Sequence, residues 1–147
     1  MFSATLASDR AKNLLQVDPT IKLGHLIELT GFQHVSPDYK NLEVPPRHPA
    51  LYTIEPSLIS FGALMEPIDV MGGITKRRVL SADIRELVLY VARTPDLAVP
   101  VVAMGTSHHG AQPCVYGIPH GRCLGFTYDP GPFAPDCHFL CVRIFKL

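Results

Sequence analysis

All four cysteines and four of the seven histidines of this chain lie between His108 and Cys141. In order they are His108, His109, Cys114, His120, Cys123, Cys137, His138 and Cys141. Thiolate and imidazole are the ligands zinc takes in a tetrahedral shell, usually supplied as close pairs from turns. Cys114, His120, Cys123, Cys137 and His138 are therefore the candidate metal ligands. Their spacing departs from a zinc knuckle, whose cysteines stand two to four residues apart around a tight turn. A strand carrying both Cys137 and Cys141 would hold them ~13 Å apart, at a rise near 3.3 Å per residue. The competing reading makes the cysteines small buried hydrophobes, a common fate of free thiols. On that reading no cofactor is expected, and zinc is the exception to test.

The same region offers a nucleophile. Cys123 or Cys114 beside His108, His109 or His120 could form a thiolate–imidazole pair, provided a third group orients the ring. Ser107 next to two histidines suggests hydrolase-type chemistry on the loop from Gly105 to Gly110. No Gly-x-Ser-x-Gly elbow accompanies it, and no cysteine-protease signature is present. A metal-dependent double-stranded β-helix would supply His-x-His or His-x-Asp, and neither occurs; His108 and His109 are adjacent and would face opposite sides of a strand. The catalytic candidates are thus His108, His109, His120 and Cys123. Outside this region, Lys76, Arg77 and Arg78 form a basic run too small for a nucleic-acid footprint. Glu55, Glu66, Asp69 and Asp83 are scattered carboxylates that read as surface charge.

These residues need a scaffold, and 147 residues fit a single domain over 1–147. Fourteen prolines, about twice the usual share, are hard to reconcile with long helices. Val44 to Pro49 reads as a stiff connection between a helical arm over 1–43 and a β-rich body over 50–147. In the arm, Ser8 to Gln16 and Thr20 to Leu29 have helical spacing, the second ending near Gly31. In the body, Leu51 to Ile54, Leu58 to Met65, Ala98 to Met104 and His138 to Lys146 read as strands. Ile68 to Met71 and Ile74 to Leu80 flank Gly72-Gly73 as a hairpin. Cys114 to Ile118 and Arg122 to Tyr128 flank Pro119-His120-Gly121 as another. Ser81 to Arg93 fits a helix capped by Ser81, with a strand as the alternative. The expected class is α+β, mostly β: a helical arm, then an antiparallel sandwich or barrel of about seven or eight short strands. Tyr128 to Pro135 reads as a rigid loop that could present Phe133 to a partner, with Phe133 folded back onto the core as an equal alternative.

Charge narrows the function classes. Thirteen basic and thirteen acidic side chains cancel, and only 18% of residues are charged. A neutral, charge-poor surface does little to keep copies apart, which points to self-association or another protein partner. It argues against nucleic acid, whose binders carry a basic excess. No apolar run reaches the roughly 18 residues of a membrane span, and no signal peptide is evident. Reduced thiols in a cytoplasmic or otherwise reducing compartment follow as the expectation. The leading expectation is a non-enzymatic assembly or interaction protein, with the texture of small viral or phage structural and accessory proteins. The alternative is an enzyme or zinc-binding module built on residues 108–141.

Overall fold

The computed structural model describes residues 13–97, 100–119, 121–127 and 132–146. The strands are Leu15–Val17 (β1), His34–Val35 (β2), Tyr52–Ser60 (β3), Leu80–Ser81 (β4), Val101–Val102 (β5), Pro113–Ile118 (β6), Gly121–Phe126 (β7) and His138–Lys146 (β8). The helices are Leu23–Thr30 (α1), Pro67–Lys76 (α2) and Ile84–Ala92 (α3), with a 3-10 turn at Pro37–Tyr39.

β8 organises the sheet because its residues alternate between two apolar environments. Leu140 and Val142 join the larger core with Ile54, Leu87, Val88 and Leu124. Phe139 and Cys141 join a smaller core with Val70, Ile74, Val102 and Phe133. Helix α3 thus packs on one face of β8 and α2 on the other. One edge of β8 pairs antiparallel with β3, from Thr53↔Lys146 to Ser60↔His138. The other edge is shared: β5 pairs parallel at Val101↔His138 and β4 antiparallel at Ser81↔Cys141. The strand order is β1-β3-β8-β5-β6-β7-β2, with β4 beside β8. The class is α+β as expected. The sheet is mixed rather than antiparallel, and its end strands β1 and β2 do not pair, so it is no closed barrel.

Several local expectations are corrected. The N-terminal segment is not purely helical. Leu15 and Gln16 lie in β1, which pairs with β3, and β2 runs parallel to β7; residues 1–12 lie outside the described ones. The two strands expected on either side of Ser57 are one, β3. Beyond Ile54 β3 has no β1 partner, and Pro56 is tolerated there as an edge proline. The hairpin at Gly72-Gly73 is instead the middle of α2. Pro67 starts the helix, Asp69 and Lys76 suit its opposite ends, and Val70 and Ile74 bury one turn apart. Gly73 serves packing: a Cβ there would lie 2.6 Å from the Phe61 ring. Tertiary burial of Val70 and Ile74 overrides the local turn signal. Helix α3 is the helix expected, but Asp83 caps it, because Ser81 is engaged in β4. Of the strand expected over Ala98 to Met104, Val101–Val102 is formed, and residues 98 and 99 lie outside the described ones. Of the two readings of Phe133 the structure shows the core one: it is buried and bridges to Met65.

Candidate functional site

The histidines and cysteines are dispersed. Cys114, Cys137 and Cys141 share the smaller core under α2. Burial pushes each thiol up to about 11, assisted at Cys137 by the charges of Asp136 and Cys114 and opposed at Cys141 by Arg77. Cys123 is buried on β7, opposite Tyr116 on one side and His34 on the other. Cys114 pairs across the hairpin with Gly125, so the two cysteines that bracket this turn are not opposite each other. His138 is half-buried, and its Nδ1 has no hydrogen-bond partner among the described residues. His108 packs against Phe126 with the rings tilted by 33° and their centroids 5.3 Å apart, and meets His109 edge-on at 4.3 Å. His120 lies outside the described residues. Among the described residues no group of three His, Cys, Asp or Glu is arranged to hold a metal ion, and no side-chain hydrogen bond links Cys114 or Cys123 to a histidine.

His108 does border a cleft. A cavity of ≈ 470 Å³ is lined by Arg47, Asp83, Gly105, Thr106, Ser107 and His108, with Leu42 to Pro45 along one side. Two of the lining residues, Arg47 and Asp83, are held from behind by Glu86, which is 0% exposed. Arg47 donates from Nε to Glu86 Oε2 at 3.0 Å and from Nη2 to Oε1 at 2.8 Å. The Tyr52 hydroxyl donates to Oε2 at 2.8 Å, and the Asp83 N–H to Oε1 at 2.9 Å. Four donors satisfy both oxygens, which is what a buried carboxylate requires. Burial and the neighbouring Glu86 push the Tyr52 phenol up, so it stays a neutral donor. Burial first, and then Glu86, lift Asp83 to about 6. Asp83 closes the capping box by accepting from the Glu86 N–H at 2.8 Å.

The opposite wall is fixed by backbone contact. Gly105 donates to the Ala82 carbonyl at 2.8 Å, and a Cβ on Gly105 would sit 2.6 Å from that oxygen. Thr106 Oγ1 accepts the Ile84 N–H at 2.9 Å. Beyond Ser107, His108 and Ala111 exchange backbone hydrogen bonds around a tight turn with His109 and Gly110 at positive φ. Serine, imidazole and carboxyl groups therefore line one cleft, the group types of acyl transfer. No hydrogen bond joins Ser107, His108 and Asp83, so the three do not form an assembled relay.

The outer face of α2 is the other unusual surface. Ile68, Met71, Gly72 and Thr75 are all exposed and fall at i, i+3, i+4 and i+7, one stripe of a helix. Ile68 is 79% exposed, and Leu64 before the helix and Leu80 after it are exposed as well. The Ser81 hydroxyl reaches Met71 Sδ at 3.5 Å, which places the β4 end beside this stripe. Glu66 and Asp69 stand at the N-terminal end of α2, and Lys76, Arg77 and Arg78 at the C-terminal end. No family model, curated protein or solved structure matches the chain. No helix among the described residues is long and apolar enough to cross a membrane.

The sequence points to one wall of the cleft, the loop with Ser107 and His108, but not to its other walls or to the stripe on α2. The stripe on α2 was visible as a period, but Gly72-Gly73 at its centre reads more strongly as a turn. For the cleft, the pattern Asp83-x-x-Glu86 was the available signal, a capping box by spacing. Nothing local joins Glu86 to Arg47 or Tyr52.

Proposed function

We propose that this chain is a non-enzymatic assembly or interaction protein that docks through the outer face of α2. The observation that carries the reading is Ile68, 79% exposed in a stripe with Met71 and flanked by exposed Leu64 and Leu80. Removing a side chain of this size from water yields roughly 1.5–3 kcal/mol, and clustered exposed apolar groups characterise interaction sites. The neutral, charge-poor composition supports the same reading, since long-range repulsion between approaching surfaces is small. The test is a photo-crosslinking side chain placed at position 68 of the full chain in cells, with the exposed position of Lys40 as control. A protein adduct from position 68 that is absent from position 40 is expected. Equal background from both positions refutes the reading.

A second reading, hydrolase-type chemistry, is favoured by one observation: Ser107, His108 and Asp83 line a single cleft. Turnover of a small activated ester that disappears in both Ser107→Ala and His108→Ala would support it. Activity indifferent to both substitutions would end it.

A further inference from the structure

We infer that the partner of α2 is a second copy of this chain, with the two α2 helices packed antiparallel about a two-fold axis near Gly72. The inference rests on the reading of α2 as a docking face and adds the identity and direction of the partner.

The stripe is self-complementary. Ile68, Gly72 and Thr75 form its centre line and Met71 lies alongside. Gly72, midway between the exposed ends, has nothing within 4 Å of where its Cβ would be, so space at the centre is open for the close approach of another helix. A symmetric pair needs one patch to fit itself, with residue i meeting j and j meeting i.

Charge sets the direction. Asp69 and Lys76 are seven residues apart, hence two turns apart on the same flank of the stripe. Among the described residues neither forms an ion pair within the chain. Antiparallel packing brings Asp69 of each copy to Lys76 of the other, and symmetry makes the pair twice. Parallel packing about a two-fold axis along the helices would put this flank on opposite sides of the contact in the two copies, and neither pair would form. The helix dipoles act in the same sense, since antiparallel neighbours oppose positive end to negative end. Antiparallel packing also carries the Leu64 end of one copy to the Leu80 end of the other, widening the apolar contact beyond a ten-residue helix.

The experiment is sedimentation equilibrium of the full chain over a wide concentration range, with thermal unfolding of each variant as the folding control. The wild type is expected to dimerise reversibly. Ile68→Glu should abolish the dimer. Asp69→Lys should weaken it by roughly tenfold or more, since two symmetric pairs turn from attraction to repulsion. The reversed pair Asp69→Lys with Lys76→Glu should restore it, and Gly72→Cys should give a disulfide-linked dimer on mild oxidation. A wild type that stays monomeric throughout overturns the inference while leaving α2 free to dock another protein. A dimer sensitive to Ile68→Glu but not rescued by the reversed pair overturns the antiparallel arrangement alone. A dimer indifferent to Ile68→Glu overturns the inference, because the copies then meet through another face; the reading of α2 as a docking face falls only if the crosslink at position 68 also fails.

Discussion

Arg47 and Glu86 lie 39 residues apart in sequence and meet in a two-pronged ion pair, Nε to Oε2 at 3.0 Å and Nη2 to Oε1 at 2.8 Å. The pair ties the proline-rich segment around Arg47 to the first turn of α3. A third bond, from Arg47 Nη2 to the Ser81 carbonyl at 2.7 Å, ties it to β4 as well. One guanidinium thus fixes to the body the segment that the sequence reads as a stiff connection between arm and body.

Arg47→Met should be strongly destabilising. It leaves Glu86 fully buried with the Tyr52 hydroxyl and the Asp83 N–H as its remaining donors. Removing one partner of a buried pair typically costs about 3–5 kcal/mol. Urea denaturation at pH 7 should show that loss, and the double variant Arg47→Met with Glu86→Gln should lose less than the two single variants combined. Strict additivity would mean that the pair contributes nothing as a pair.

Asp83 should give the protein a distinctive pH response. Burial and the charge of Glu86 raise its folded value to about 6, above the usual aspartate value of about 3.9 in an unfolded chain. Between these values the folded state holds a proton that the unfolded chain has released. The contribution of Asp83 to stability therefore grows as pH falls from about 7 toward 4, and is lost as pH rises through about 6. Asp83→Asn keeps a capping acceptor and should remove this slope. Unfolding free energies of the two proteins, measured from pH 4 to 8, should differ in that sense; parallel curves would show that Asp83 does not titrate in this window.

What the sequence made legible was what one element decides alone. The alternation of Leu140, Val142 and Ile144 on one face predicts β8 with its observed bounds. The spacing of Ile84, Leu87, Val88 and Val91 predicts α3. What failed needed a distant partner. Gly72-Gly73 is helical because Val70 and Ile74 reach a core made by Phe139 and Val102, and because the Phe61 ring occupies the space beside Gly73. The cysteines look clustered in sequence, yet β6, β7 and β8 carry them to different environments: Cys123 is isolated from the three thiols under α2. The cleft joins the 42–47 segment, the start of α3 and the loop after β5, a meeting that no spacing announces.

Gly105→Ala should weaken the cleft wall. The added methyl would meet the Ala82 and Ser81 carbonyl oxygens at 2.6 and 2.7 Å, and these are backbone atoms that cannot simply rotate away. Overpacking of this kind costs about 1–3 kcal/mol. Thermal or urea unfolding should register the loss, together with faster hydrogen exchange at the Gly105 and Ile84 amides that cross this contact.

Gly72→Ala should do the opposite. Its position is mid-helix, exposed and free of neighbours within 4 Å. Alanine is favoured over glycine inside a helix by about 0.5–1 kcal/mol. A gain of that size is expected in urea denaturation at a concentration where the wild type is monomeric. A loss would return the Gly72-Gly73 segment to the turn that its sequence suggests.

The thiols decide between core and metal site. A group whose value is about 11, as at Cys114, Cys137 and Cys141, is ionised in only about one molecule in a thousand at pH 8. Native protein at pH 8 should therefore react slowly with a disulfide reagent, and four thiols should titrate once denaturant is added. The unfolded chain releases these protons near pH 8.5, earlier than the folded one, so stability should also fall as pH rises from about 8.5 toward 11. Zinc would reverse this pattern, because a metal-bound thiol is held deprotonated and its site binds the folded chain. With a chelator present, an unchanged unfolding midpoint is the expected result for thiols that serve as apolar core. A lowered midpoint, with about one zinc per chain by elemental analysis, would return Cys114, Cys123, Cys137 and His138 to the centre of the chemistry.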